Sequence, residues 1–185
     1  MSQHSKLKLS YAFTADQVNG KVWVSGISQK IEFGENTSRT ATSGDVGLNV
    51  NAAGFGLTGY YYTGKGIGQT LQFRDGFSAF GAEKRKSEGG YIQGTYTLPG
   101  VGTKLGVSWG QSELKATGDE QEWYGVGNVQ DEMWTGGIYH PITKHLNLVA
   151  EYSESERKIS GAGEDAIASA TGKAKTVSLG AILFF

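Results

Sequence analysis

Polar side chains spaced two residues apart are the groups of this chain best suited to chemistry in water, through charge and hydrogen bonding. They alternate with apolar neighbours and comprise Lys6, Lys8, Asp45, Asn49, Asn51, Thr58, Gln93, Thr95, Lys104, Asn147 and Glu151. Rings of charged and hydrogen-bonding groups select the solutes that pass a channel. We therefore expect these side chains to line an aqueous pore. The alternative is that they fill the inside of a narrow, sealed barrel.

Groupings that would indicate an enzyme or a metal centre are weak. His140 and His145 flank a tight turn and have no acidic partner close in sequence. A phosphate-binding loop is followed by a helix, but the glycine-rich segment 64–68 precedes no predicted helix. The basic run 84–86 is typical of a solvated loop, with an anion site as the alternative. We therefore expect no catalytic residue, no metal and no other cofactor.

Strands are the elements that position the polar set, because apolar residues recur along the chain with a period of two. At the end of the chain Val177, Leu179, Ala181 and Leu183 alternate with small or polar residues before the terminal Phe185. Nine strand candidates follow this pattern, at about 6–16, 21–33, 45–52, 55–62, 90–98, 105–109, 133–141, 146–153 and 176–185.

The apolar faces of these strands carry no charged side chain, as a lipid-contacting surface requires, since an Arg or Lys there costs ~2–4 kcal/mol at the bilayer midplane. In the second strand the facing is left open, with either Trp23 and Ile27 or Val22 and Val24 on this side. The residues expected to contact lipid are Leu7, Leu9, Val46, Leu48, Leu105, Val107, Leu146 and Leu148.

The connections between strands alternate in length, which is typical of an outer-membrane barrel with short turns on one rim and long loops on the other. Tight turns are expected near Asn19, Ala53, Gly100 and Thr143, and Asn19-Gly20 is the strongest short hairpin signal. Long polar loops are expected at about 34–44, 65–89, 112–131 and 154–173.

Composition narrows the class of protein further. The chain has 185 residues, of which 38% are hydrophobic, and its mean hydropathy is -0.33. No run approaches the roughly 18 apolar residues that a spanning helix needs, whereas a spanning barrel turns only alternate residues to lipid. The net charge of -1 favours no nucleic-acid partner. The sequence predicts an all-β, antiparallel transmembrane barrel in a single domain, 1–185.

The end of the chain resembles the C-terminal strand of outer-membrane barrels of Gram-negative bacteria, in which a terminal phenylalanine, here Phe185, acts as the assembly signal. Segments 54–68, 91–96 and 103–112 resemble general porins. Segment 137–144 is similar to a hairpin that those porins commonly write as Tyr-x-x-Ser-Lys, with a threonine in place of the serine. The similarity extends from about residue 7 to the last residue.

This resemblance implies a general porin of the cell outer membrane, with a water-filled channel for passive diffusion of small hydrophilic solutes and ions. It implies contact with outer-membrane lipid, lipopolysaccharide and the barrel-assembly machinery. A full-length homotrimer of barrels with about 16 strands is also implied. Because such porins have roughly twice the strands visible here, we expect the C-terminal half of a larger porin, without the inward-folded loop that usually constricts the pore.

Several alternatives stay open. Bacterial single-chain barrels have even strand numbers, so we expect a partial barrel, with a tenth strand in 65–89 as the second interpretation. A small closed outer-membrane barrel would act as a structural or adhesive surface protein without conductance. A soluble lipocalin-like carrier would need the reverse facing, with apolar residues inside. An outer-membrane enzyme would need a grouping of serine, histidine and acid that we do not find.

Overall fold

A computed structural model describes residues 4–33, 37–68, 75–78, 83–161 and 168–184. These ranges contain nine strands and one short helix. In chain order they are β1 (His4–Ala15), β2 (Val18–Glu32), β3 (Ser38–Ala52), β4 (Phe55–Lys65), β5 (Lys86–Thr97), β6 (Lys104–Lys115), α1 (Gly118–Tyr124), β7 (Val126–Thr143), β8 (Leu146–Gly161) and β9 (Ala170–Leu183).

The nine strands form one antiparallel sheet in which each strand pairs with the next along the chain. Within the described ranges β1 and β9 therefore occupy the two edges. Antiparallel neighbours can be joined by very short connections, and three of the eight connections here have only two residues. The predicted all-β class and antiparallel arrangement are confirmed, and the open sheet is consistent with part of a barrel.

The first turn was predicted three residues too late in the chain. It lies at Asp16 and Gln17 rather than at Asn19 and Gly20, which belong to β2. Asp16 adopts a left-handed conformation with a φ of 49°, which aspartate reaches more readily than most residues. Gly20 is required inside the strand instead, because a Cβ there would lie 2.5 Å from Cζ of Phe13. Its missing side chain leaves room for that ring.

The other short turns lie where the sequence predicted them. Ala53 and Gly54 have φ values of 48° and 85°, as a mirror-image hairpin turn requires. The turn between β5 and β6 is closed by the amide of Leu98, which donates to the carbonyl of Thr103 at 2.8 Å. The turn between β7 and β8 lies at residues 144–145.

All four long connections are shorter than predicted, because the strands continue into them. β3 begins at Ser38, and much of the predicted loops at 34–44 and 154–173 is strand. Charged side chains in these extensions pair across strands, as Glu154 and Lys175 do at 3.0 Å. Opposite charges facing each other stabilise a sheet, so the polar sequence did not end the strands.

The remaining long connections carry structure that the sequence did not predict. In the described parts of 65–89 there is no tenth strand, and outside β4 and β5 only an isolated bridge joins Phe77 to Lys84. The connection from β6 to β7 contains α1, which begins with a capping box between Thr117 and Glu120. Within the described ranges, no helix is both long and apolar enough to cross a membrane.

The buried core is small and lies on one side of the sheet. Ala41 and Ile67 are completely buried and Tyr62 nearly so. Most other large apolar side chains are exposed, and Leu179 of β9 is 81% exposed. A sheet in water normally covers such a face, so this exposure indicates a surface that contacts lipid.

Candidate functional site

One face of the sheet carries every residue predicted to line a pore. Paired residues on antiparallel neighbours project to the same side, and side chains alternate along each strand. The register from Lys8 through Ser25 to Asp45, continued across the sheet, assigns the following to a single side, here called the polar face: Lys6, Lys8, Asp45, Asn49, Asn51, Thr58, Gln93, Thr95, Lys104, Asn147 and Glu151. That they line a pore stays a prediction.

An unbroken row of polar side chains crosses this face. Every strand from β2 to β9 contributes one residue in register, namely Lys21, Asn49, Thr58, Gln93, Ser108, Thr135, Ser153 and Thr176. Asn49 Nδ2 donates to Thr58 Oγ1 at 2.8 Å, and the hydroxyl oxygens of Thr135 and Ser153 lie 2.9 Å apart. The row offers donors and acceptors to water across the sheet.

Basic side chains outnumber acidic ones on the polar face. The strand register places there Lys6, Lys8, Lys21, Arg39, Lys104 and Arg157 against Asp45, Asp131 and Glu151. Arg157 donates to both carboxylate oxygens of Asp131, at 2.7 and 2.8 Å. In the part of the chain that the structure describes, the four lysines form no ion pair. The face therefore carries uncompensated positive charge.

The structure resolves the facing of β2, which the sequence left open. Trp23 and Ile27 lie on the polar face, and Val22 and Val24 lie on the other. Gly47 is the β3 partner of Trp23, and a Cβ at that glycine would lie 1.9 Å from the indole. The bare backbone of Gly47 is thus what allows so large a ring on this side.

The described part of the connection between β4 and β5, residues 66–68, 75–78 and 83–85, packs over the polar face. Ile67 packs against Ala41 and Tyr62, both of which project from that face. The rings of Phe77 and Phe33 meet edge to face with centroids 4.9 Å apart. The chain therefore contains an inward-folded connection, and the expectation that it would lack one was wrong. An isoleucine among glycines was the signal that could have indicated it.

Arg85 joins this connection to the next long one, although the basic run around it was interpreted as a solvated loop. Its neighbours Lys84 and Lys86 are exposed, but Arg85 Nε donates to Glu120 Oε2 at 2.9 Å and Nη2 donates to Oε1. The backbone amide of Thr117 donates to the same carboxylate at 3.0 Å. The hydrogen bonds from Arg85 are the main reason that the pKa of Glu120 lies below its ordinary value.

The opposite side, here called the apolar face, carries the residues predicted to contact lipid. The register places there Leu7, Leu9, Val46, Leu48, Leu105, Val107, Leu146 and Leu148. Towards the long connections this face becomes charged, and Lys115 Nζ lies 2.7 Å from Glu88. Trp109 lies at the boundary and donates from Nε1 to Glu132 at 2.9 Å. Aromatic side chains favour such membrane boundaries.

A family model for "Phosphate-selective porin O and P" matches residues 2–185, nearly the whole chain. The chain belongs to this family of porins. No curated protein and no solved structure matches it. The porin class and the location in the outer membrane, both predicted, are confirmed. The family differs from the general porins that the sequence resembled, so that finer assignment is not supported.

The remaining sequence motifs have structural roles in this porin. His140 Nδ1 lies 2.8 Å from Thr103 Oγ1, and His145 Nδ1 lies 3.0 Å from the carbonyl of Phe184. Among the described residues, no cluster of His, Asp or Glu could hold a metal ion. Phe185, the predicted assembly signal, lies outside the described residues.

One sequence pattern escaped the sequence analysis. Residues 106–110 read Gly-Val-Ser-Trp-Gly, the spacing of a hydrolase nucleophile elbow. An elbow needs a sharp turn from strand to helix, but these residues all lie within β6. Ser108 is simply a member of the polar row.

Proposed function

We propose that the polar face lines a water-filled path by which small hydrophilic solutes cross the outer membrane, and that anions, phosphate among them, are preferred. The observation that carries this proposal is the excess of basic side chains on the face, with lysines that have no acidic partner in the described ranges. The family's description as phosphate-selective supports the same solute class.

The preference for anions has a long-range electrostatic basis. Charges lining a low-dielectric channel wall focus the field and raise the local concentration of the opposite ion. The effect weakens with salt, because the Debye length is only ~8 Å at physiological ionic strength. A narrow path lined by Lys8 and Lys21 would therefore favour anions most at low ionic strength.

Measurements of ionic current across planar lipid bilayers test this proposal. The purified protein should form channels whose reversal potential in a KCl gradient indicates chloride preference, and added phosphate should reduce the chloride current. Lys8→Glu should reduce the anion preference. Lys30→Glu is the matched control, because Lys30 projects from the opposite face and should leave the reversal potential unchanged. Cation preference in the unmodified protein would contradict the proposal.

The absence of any current would instead favour the closed structural or adhesive barrel. The connection that covers part of the polar face gives that alternative a physical basis, because Ile67 and its contacts lie over β3 and β4. A variant that loosens this connection separates the two. A porin should gain conductance, whereas a sealed barrel should stay closed.

The resemblance to porins supports further proposals about the assembly and the partners of this protein. We propose that the chain is the C-terminal portion of a larger porin that assembles as a homotrimer. We propose that the barrel-assembly machinery recognises Phe185 and that lipopolysaccharide covers the charged part of the apolar face. The cross-strand pairs of that region, such as Glu156 with Lys173 at 3.0 Å, leave lysines and carboxylates exposed at the level where lipid phosphates would lie.

A further inference from the structure

Aromatic rings form a strip on the polar face that the aqueous path does not explain, and only Tyr60 among them packs against the buried core. Trp23, Tyr60 and Tyr91 lie on one register line across β2, β4 and β5, with Gly47 of β3 between the first two. A face lined for ions would not be expected to carry three large rings side by side. We refer to Trp23, Tyr60 and Tyr91 as the aromatic strip.

The absence of a side chain at Gly47 makes room for the Trp23 indole within the strip. A Cβ at that position would lie within 1.9 to 2.6 Å of three atoms of the Trp23 indole, so the indole extends across β3 towards Tyr60. The rings of Tyr60 and Tyr91 follow, with centroids 5.7 Å apart and planes at 36°. Tyr60 and Tyr91 are thus in ring contact, and Trp23 lies beside them on the same face.

Part of this surface is open. Tyr91 is 43% exposed, and its hydroxyl makes no hydrogen bond within the described ranges. Tyr62, the next aromatic residue on this face, differs, since it is buried beneath Ile67 and its hydroxyl lies 2.6 Å from Ser112 Oγ. Packing of the β4–β5 connection accounts for Tyr62 and leaves Tyr91 unexplained.

Neutral hydrogen-bonding groups flank the strip. Gln93 and Ser108 lie in the adjacent polar row and have no side-chain partner in the part of the chain described. Together with Tyr91 they border a depression of about 930 Å³ that also contains Asp131 and Arg157. Asp131 and Arg157 are bonded to each other there, at 2.7 and 2.8 Å, so the neutral groups Gln93 and Ser108 are the ones that the depression offers to a ligand.

We propose that the aromatic strip and the depression beside it bind a pyranose sugar. A pyranose ring has one face of C–H groups, which stacks on an aromatic ring, and a rim of hydroxyls, which Gln93 and Ser108 can bond. The electron-rich face of an aromatic ring repels anions, so the strip is unsuited to phosphate. The porin would then offer neutral sugars a binding surface separate from its lysines, which goes beyond the function proposed above.

Calorimetric titration of the folded, detergent-solubilised protein with maltotriose tests this inference without requiring conductance. The detergent must carry no sugar headgroup, since a maltoside would occupy the site. Polyethylene glycol of similar mass is the size control and should give no binding heat. A failed conductance experiment would leave this binding result interpretable on its own.

Variants locate the site. Tyr91→Ala should weaken maltotriose binding about tenfold, whereas Tyr91→Phe, which keeps the ring, should stay within about twofold of the unmodified protein. Tyr61→Ala is the matched control, because Tyr61 neighbours Tyr60 in sequence but projects from the apolar face, and it should not change binding. Folding of each variant is checked by its heat-modifiable mobility on gels.

Two results would overturn the proposal. One is the absence of maltotriose binding to the unmodified folded protein. The other is equal affinity of the folded Tyr91→Ala and Tyr91→Phe variants, which would place any bound sugar elsewhere.

Discussion

Arg85 and Glu120 connect two loops that are 35 residues apart in sequence through a two-pronged ion pair. The Glu120 side chain is only 5% exposed and that of Arg85 18% exposed. Arg85 also donates from Nη1 to the carbonyl of Asp75 at 3.0 Å. The pair therefore fixes the connection that covers the polar face to helix α1.

Removing one partner should loosen both connections. Arg85→Ala leaves Glu120 buried without its cation, and we expect a local cost on the order of 2 kcal/mol, below the value for fully buried pairs because Arg85 is partly exposed. Protease cleavage between residues 66 and 85 should accelerate. Lys84→Ala is the control, since Lys84 is exposed. Equal cleavage of the two variants would show that the pair does not stabilise this loop.

The same pair predicts a pH dependence. Arg85 lowers the pKa of Glu120 below the ordinary 4.5, so the stabilisation is complete above pH 4.5 and is lost as the pH falls through the lowered pKa. Amide hydrogen exchange in α1, corrected for its intrinsic pH dependence, should stay constant down to that point and then rise. Glu120→Gln should remove the transition, and a transition that persists in this variant would assign it to another group.

The assignment of the apolar face to lipid can be tested by placing a charge on each side of β8. Leu148 projects from the apolar face and Asn147 from the polar face. Leu148→Arg should impair folding into lipid vesicles by ~2–4 kcal/mol if it lies near the midplane, and Asn147→Arg should be tolerated. Heat-modifiable mobility after folding into vesicles measures the difference. Equal tolerance would mean that the assigned faces are wrong.

Gly47→Ala tests the contact beneath Trp23. The added Cβ would collide with the indole, and we expect a loss of about 1–3 kcal/mol by overpacking, together with a shift in tryptophan emission. Gly59→Ala on the neighbouring strand is the control, because nothing lies within 4 Å of its added Cβ. Urea unfolding from vesicles compares the two, and similar midpoints would contradict the predicted clash.

Deleting Phe185 tests the assembly signal inferred from the resemblance. The residue itself lies outside the described part of the chain, but Phe184 before it still donates its amide to the carbonyl of His145 at 2.8 Å. The sheet should therefore form without Phe185 in detergent, while the amount of folded porin in cellular outer membranes should decrease. Unchanged levels of folded porin in the outer membrane would show that Phe185 does not act as an assembly signal.

The sequence by itself determined that the chain forms strands and, outside β2, which face of each strand is apolar. Alternation in Leu7 to Phe13 or Leu146 to Tyr152 has the period of a strand, and a one-residue slip would turn charges such as Glu151 towards lipid. The separation of charged from apolar residues therefore specified which side of a strand faces lipid before any tertiary contact. The local segments that resemble porins, in their order along the chain, also indicated the porin class.

Only the tertiary structure decided which residues meet when they are distant in the chain. Gly47 makes room for Trp23 from another strand. Because β2 carries apolar residues on both faces, its alternation alone does not show which face is turned to lipid. The burial of Ile67 against Tyr62 and the pairing of Arg85 with Glu120 join loops to strands or to each other. No local period encodes such contacts, because they depend on where the sheet brings its connections together.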